Sequence, residues 1–206
     1  MPDTNPETLT KGERTRHMIL DAAASLIVEQ GYAATSMRQI AERAGLGSVG
    51  GIYNHFPSKD EVFRTIILER HPILQIVPLM NKIEAETVED FVRKAAGVLI
   101  EELGRHPDFL NIMLTEVVEF KGEHVPLVIE KVFPLVLPLG EHIGTLRGPI
   151  RPIPGPVLVR AFFGMFFSYY ITGILLGPLM MPEMQPNALN YFVEIFLHGI
   201  LASEHE

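Results

Sequence analysis

Near the start of the chain, apolar residues recur at helical spacing in three consecutive stretches, each closed by a turn signal. Between residues 14 and 30, Ile19, Ala22, Ala23, Leu26 and Ile27 form one stripe that stops at Gly31, a residue suited to a helix C-cap. Met37, Ile40, Ala41 and Ala44 then stand at i, i+3, i+4 and i+7, behind Ser36 as N-cap with Gln39 as its capping-box partner. After Gly45-Leu46-Gly47, the residues Val49, Ile52, Tyr53 and Phe56 repeat that spacing. Pro57 stops the run, Ser58 caps the next helix with Glu61 as partner, and Asp60 and Glu61 place acidic groups in its first turn. The pattern predicts three helices packed around Ile19, Leu26, Ile40, Ile52 and Phe56, with a fourth leading away. By this spacing Tyr53 has its ring on the buried side.

Two short amphipathic helices joined by a tight glycine turn are what a helix-turn-helix requires. The second helix has a face left over that carries Ser48, Gly50, Gly51, Asn54 and His55, all small or hydrogen-bonding. Such a face suits base edges in a major groove. The segments GYAATSMRQIAERAG and GGIYNHFPSK, quoted as they stand, resemble the DNA-binding domain of the tetracycline-repressor (TetR) family over residues 11–68, about a third of the chain. The resemblance implies an all-α chain: an N-terminal three-helix helix-turn-helix domain (1–68, with 1–10 disordered), then a helical ligand-binding and dimerisation domain (69–206). One departure stands out. Gly47 falls where the family pattern has an aliphatic residue, so Leu46 is expected to plug the turn, which is then one residue longer. The adjacent Gly50 and Gly51 cost a helix roughly 1 kcal/mol each relative to Ala, yet leave room for close backbone approach to DNA.

The DNA-contact set expected from residues and resemblance together is Ser36, Arg38, Ser48, Val49, Gly50, Gly51, Tyr53, Asn54, His55 and Lys59. Arg38 lies opposite the apolar stripe one turn into its helix, either as a DNA contact or as a solvated side chain. Asn54 has the chemistry for bidentate pairing to adenine, and His55 suits a phosphate or a cap on its own helix. For the Tyr53 hydroxyl and for Lys59 at a helix N-terminus, phosphate contact is what the resemblance implies. Ser36 is first of all a cap, with phosphate contact a second role.

Beyond residue 68 the pattern coarsens. Residues 72–86 read as an irregular connector, Thr87 with Asp90 opens a helix to about residue 104, and Pro107 stands in the first turn of another carrying Phe109, Ile112, Met113, Glu116, Val117 and Phe120. Residues 125–145 are apolar but hold Pro126, Pro134 and Pro138, which predicts a kinked or broken helix. Residues 147–156 read as a loop. Residues 161–181 then run for twenty-one positions without a charge, long enough for a membrane span. Ser168, Tyr169, Tyr170 and Thr172 in the middle, and Pro178 near the end, favour a helix at a subunit interface instead. Residues 187–202 make a last helix with Leu189, Phe192, Val193, Phe196, Leu197 and Ile200 in a broad stripe. In the family such a final pair forms a four-helix interface between two copies, so a homodimer through 161–177 and 187–202 is expected.

Composition narrows the function. The chain has no cysteine, which removes disulfides and thiolate metal sites and fits a cytoplasmic protein. Its eight histidines (17, 55, 71, 106, 124, 142, 198 and 205) show no i, i+4 pair, and no Walker loop or Gly-x-Ser-x-Gly elbow occurs, so neither a metal nor a cofactor nor catalysis is expected. The net charge of −8 is unusual for a DNA binder, but residues 11–64 carry net +1 and residues 65–206 net −7. The acidity therefore belongs to the second domain. An excess of apolar residues there, with Glu116 intruding on an apolar stripe, suggests a pocket for an apolar or amphipathic effector; its candidate residues are Met113, Glu116, Phe120, Phe133, Phe166 and Tyr169. The expected function is a ligand-responsive repressor on a palindromic operator in double-stranded DNA. The alternatives are a ligand-binding or scaffold protein with degraded DNA readout, and a membrane-anchored sensor.

Overall fold

The computed structural model describes residues 9–148, 150–176 and 187–201, so most of the segment expected to be disordered and the charge-free run beyond residue 176 lie outside the described residues. Ten α-helices and two isolated β-bridges make up the regular structure among them. Packing divides the chain into two compact units, Met1–His71 with Asp108–Lys131 and Pro72–Pro107 with Val132–Glu206. Residues 108–131, which lie beyond the boundary expected at residue 68, thus group with the first unit.

In the first unit, α1 (Lys11–Gln30) starts earlier than its apolar stripe because Thr10 and Glu13 form a reciprocal capping box. It ends at Gly31, whose φ of 83° lies in the left-handed region. Helices α2 (Met37–Arg43), α3 (Val49–Tyr53) and α4 (Lys59–Arg70) follow, with Ser36 and Ser58 at the N-caps of α2 and α4 as the sequence predicts. Ile19, Ala23, Ile40, Ile52, Phe56, Val62 and Phe63 close the core between them. Two ion pairs clamp α1 to α4, Arg16 to Glu69 and Arg70 to Asp21, each at 2.6 Å. Helix α7 (Phe109–Val118) packs on α1, and α8 (Val125–Thr145) begins in this unit and continues into the other.

Within the second unit, residues 72–86 are not an irregular connector: α5 (Ile73–Met80) forms there despite Pro78, burying Ile76, Val77 and Met80 against α6 (Val88–Arg105). Its signal was the i, i+3, i+4, i+7 set Ile73, Ile76, Val77 and Met80. Nor is α8 broken. Pro134 and Pro138 sit inside one continuous helix; Pro138 offers no N–H to the Pro134 carbonyl, and the Asn81 amide donates to the neighbouring Leu135 carbonyl at 2.9 Å. Helix α9 (Gly155–Leu176), mostly apolar with Arg160 as its one charge, starts within the stretch read as a loop, and α10 (Ala188–Ile200) buries Val193, Phe196, Leu197 and Ile200. Phe166 of α9 is fully buried, its ring 4.8 Å from Phe162 and 6.0 Å from Phe196, and the Tyr170 hydroxyl donates to the Leu103 carbonyl.

His71 closes α4, with its ring edge-on to Phe109 at 4.9 Å, and burial lowers its pKa from 6.5 to about 4. The folded chain thus keeps His71 neutral where the unfolded chain takes up a proton. The linked stability is complete above about pH 6.5, declines as pH falls below it, and about 3 kcal/mol is lost once pH is below about 4. Urea titrations from pH 7 to 4 should show this decline, and His71→Phe should flatten it.

Candidate nucleic-acid interface

The candidate interface is assembled by three caps and one turn. At the start of α2 the Ser36 hydroxyl accepts from the Gln39 N–H at 3.3 Å and donates to its side-chain oxygen at 2.7 Å, which fixes the helix entry. The Ala44 N–H closes on the Ile40 carbonyl, and the Leu46 N–H on that of Ala41, while Gly45 turns the chain at φ 70°. Leu46 then lies against α3: a Cβ built on Gly51 would meet the Leu46 side chain at 3.8 Å. Leu46 is thus the plug of the longer turn, as the sequence suggested.

Helix α3 is only five residues long, and this changes two expectations. Asn54 is its C-cap and His55 lies beyond it, so neither belongs to the helix body. Tyr53 is 53% exposed, not on the core side. The chain turns at Asn54 and His55, with both the His55 and Phe56 N–H groups closing on the Ile52 carbonyl. Ile52 and Phe56 thereby take the two core positions, and Tyr53 is rotated out to solvent beside Ser48 and Gly50, both exposed, with Val49 and Gly51 half-buried. Arg38 is exposed and makes no ion pair among the described residues, whereas Arg43 is held by Glu29 at 2.8 Å.

Lys59 has a second occupation that the sequence did not reveal. Its ammonium donates to the carbonyls of Tyr32 and Thr35, each at 2.8 Å, and stands 4.0 Å over the Tyr32 ring. Two of its three donors therefore pin the α1–α2 loop to the start of α4, leaving one without a carbonyl partner among the described residues. Tyr32 is also held through its hydroxyl, which donates to Asp60; burial first, and then that carboxylate, push its pKa up. The signal for this pin was Gly31-Tyr32 directly after α1, read in the sequence as a helix stop alone.

The six residues named for an effector pocket do not converge. Met113, Glu116 and Phe120 belong to the first unit, and Phe133, Phe166 and Tyr169 to the second. Both carboxylate oxygens of the buried Glu116 are taken by His124, Phe120 stacks on Phe63, and Phe133 is exposed. None of the six lines the cavity of about 90 Å³ in the second unit, whose walls are apolar throughout and include Met80, Phe91, Leu139, Phe162, Phe163 and Phe196. Helical spacing groups residues of one helix face, and a cavity depends on long-range packing that spacing does not encode. Among the described residues no group of three metal-binding side chains occurs.

A capped two-helix motif in an all-helical chain defines the class: a helix-turn-helix protein. Residues 19–66 match the model of the bacterial regulatory proteins of the tetR family. The HTH-type transcriptional regulator SrpR of Pseudomonas putida is 38% identical over 68 residues, 32% of this chain and 32% of SrpR. YuxN, an uncharacterized HTH-type transcriptional regulator of Bacillus subtilis, is 28% identical over 99 residues, 48% of this chain and 34% of YuxN. The chain thus spans about a third of the length of these curated relatives. A solved TetR-family regulator from Marinobacter aquaeolei shares the fold over 93% of this chain and 97% of its own at a TM-score of 0.66 and 15% identity, which speaks for the fold alone. Over residues 19–66 the chain is thus similar to transcription regulators of the tetR family.

Space around α3 makes a direct test of its weakness. A Cβ on Gly50 would meet only the Ser48 hydroxyl, at 3.6 Å. Gly50→Ala should therefore raise the stability of the head by up to about 1 kcal/mol, read as a shift in the urea midpoint.

Proposed function

We propose that this chain is a homodimeric, cytoplasmic, DNA-binding transcription regulator, acting as a repressor that leaves a palindromic operator when a small apolar or amphipathic molecule binds its second unit. The observation that carries the reading is the solvent-facing surface of α2 and α3. Exposed Arg38 and Tyr53 flank a row of small residues, while Ile40, Ile52 and Phe56 turn inward. Ser36, Ser48, Val49, Gly50, Gly51, Asn54, His55 and the last donor of Lys59 complete the contact set. Arg38 and Lys59 serve phosphates, and Asn54 serves a base edge. With the head only slightly positive, non-specific binding is weak, and specificity falls to shape and to these few groups.

The apolar cavity supports an effector that needs no charged anchor in the body of its site. Helices α9 and α10 support the dimer: Ile174, Leu175, Tyr191 and Ile195 are exposed in the single chain. One observation favours a second reading. Helix α9 is long and apolar enough to cross a membrane, with a mean hydropathy of 1.5, and only 11% of that window is buried. Purification without detergent as a soluble dimer would dispose of the membrane reading. Ile195→Glu should then shift the sedimenting species to the monomer while helicity is retained.

Selection of the full chain against random duplexes at roughly 0.1 M salt tests the main reading. An enriched palindrome is expected, its half-sites about one helical turn or a multiple apart; binding that is salt-sensitive but indifferent to sequence would overturn the repressor assignment. Tyr53→Ala should lower affinity for the selected duplex at least about tenfold. Because the ring is exposed, its stability should stay within roughly 0.5 kcal/mol of the parent.

A further inference from the structure

The first unit contains a buried ionisable pair that the DNA-contact set does not use. Glu116 on the last turns of α7 is 1% exposed, and His124 just before α8 is 6% exposed. One carboxylate oxygen accepts the His124 backbone N–H at 2.7 Å and the other lies 2.8 Å from its Nδ1. The intervening turn is held in the left-handed region at Lys121 (φ 54°) and Gly122 (φ 82°), and the Gly122 N–H closes on the Glu116 carbonyl at 3.1 Å. A carboxylate removed from water needs such partners. Here they are spent closing an eight-residue span and aiming one side chain.

That side chain is Phe120. It stacks parallel on Phe63 of α4, with centroids 4.6 Å apart and planes 6° apart, and meets Tyr32 edge-on at 4.8 Å. His124 lies edge-on to the Phe120 ring at 4.9 Å. Tyr32 in turn carries the Lys59 ammonium on its face and donates to Asp60, and Lys59 binds the carbonyl of Thr35, the residue before the N-cap of α2. Contact is therefore unbroken from Glu116 to the entry of the helix-turn-helix. The far end of this chain of contacts lies where α8 begins, and α8 continues into the unit that holds the apolar cavity.

We propose that Glu116, His124 and Phe120 form a clasp by which residues outside the head in sequence position the helix-turn-helix for DNA readout. The proposal rests on the DNA-binding reading above and adds to it the element that sets the head's reading state. None of the three touches DNA; they are positioning residues acting through Tyr32 and Lys59. With the clasp closed, the α1–α2 loop and the start of α4 are locked together. When it opens, the loop loses the ring that backs Tyr32, and α2 loses its fixed entry.

The test uses the full chain with Glu116→Ala, Phe120→Leu and the conservative Glu116→Gln, which keeps an acceptor for the His124 N–H. In folded protein well below its melting temperature, amide hydrogen exchange across residues 32–53 should quicken about tenfold or more in Glu116→Ala and Phe120→Leu, while α6 and α10 keep their protection. Affinity for the selected duplex should fall about tenfold, affinity for an unrelated duplex should change less than about twofold, and Glu116→Gln should restore most of both. If Glu116→Ala does not fold, Phe120→Leu carries the test. Exchange that quickens everywhere, or an unchanged ratio of specific to non-specific affinity in a folded variant, would overturn the clasp and leave the three as ordinary core. A parent that selects no duplex would sink the DNA-binding reading by itself, and the location of the exchange change would still decide for or against the clasp.

Discussion

A five-residue helix with two glycines cannot hold itself together in water, and the whole reading head depends on how that deficit is met. Isolated helices of that length lack the hydrogen bonds to repay nucleation, and Gly50 and Gly51 add roughly 1 kcal/mol of penalty each. What holds α3 is burial: Ile52 is completely enclosed and Phe56, just past the helix, nearly so. Leu46 adds contact from the turn side. The geometry of the DNA-facing surface is thus dictated from behind, by the core of α1, α2 and α4, and only weakly by α3's own sequence.

The same fact explains which parts of the fold were legible in the sequence. Caps were, because they are local: Ser36 with Gln39, Ser58 with Glu61, Thr87 with Asp90 and the left-handed Gly31 need only their neighbours. Core positions on long amphipathic stretches were legible for the same reason. Tyr53 was misjudged because helical spacing assumes the helix goes on, and α3 stops there; a stop is a tertiary outcome. Prolines 134 and 138 allowed a kink or a break, and α8 runs on through both without a break. The candidate DNA surface, held within residues 36–59, could therefore be read ahead of the structure. The apolar cavity could not, because its wall brings together α5, α6, α8, α9 and α10, and no spacing rule spans them.

Charge follows a similar division of labour. Most of the acidity lies in residues 65–206, and the head is left nearly neutral, with its arginines divided between solvent and partners. Arg16 and Arg43 are committed to Glu69 and Glu29, and each is exposed enough that these bridges contribute little to stability. Their effect is rather to withdraw cations from the electrostatic footprint. A head with few free phosphate contacts gains little from counterion release, so sequence discrimination must rest on fit. Fit in turn requires that α2 and α3 be held in one arrangement.

That requirement gives the Glu116–His124 pair its interest. A rigid, self-sufficient head would be insensitive to anything beyond its own residues, whereas one whose second helix is marginal can be shifted by a small change at its support. Coupling energies of about 1–3 kcal/mol are typical between linked sites. A buried pair that closes the turn beneath a stacked aromatic ring is of the order needed, because losing either partner leaves the other desolvated. The weak helix and the buried clasp are then two halves of one arrangement: the first makes the reading surface responsive, and the second gives the response a single point of control.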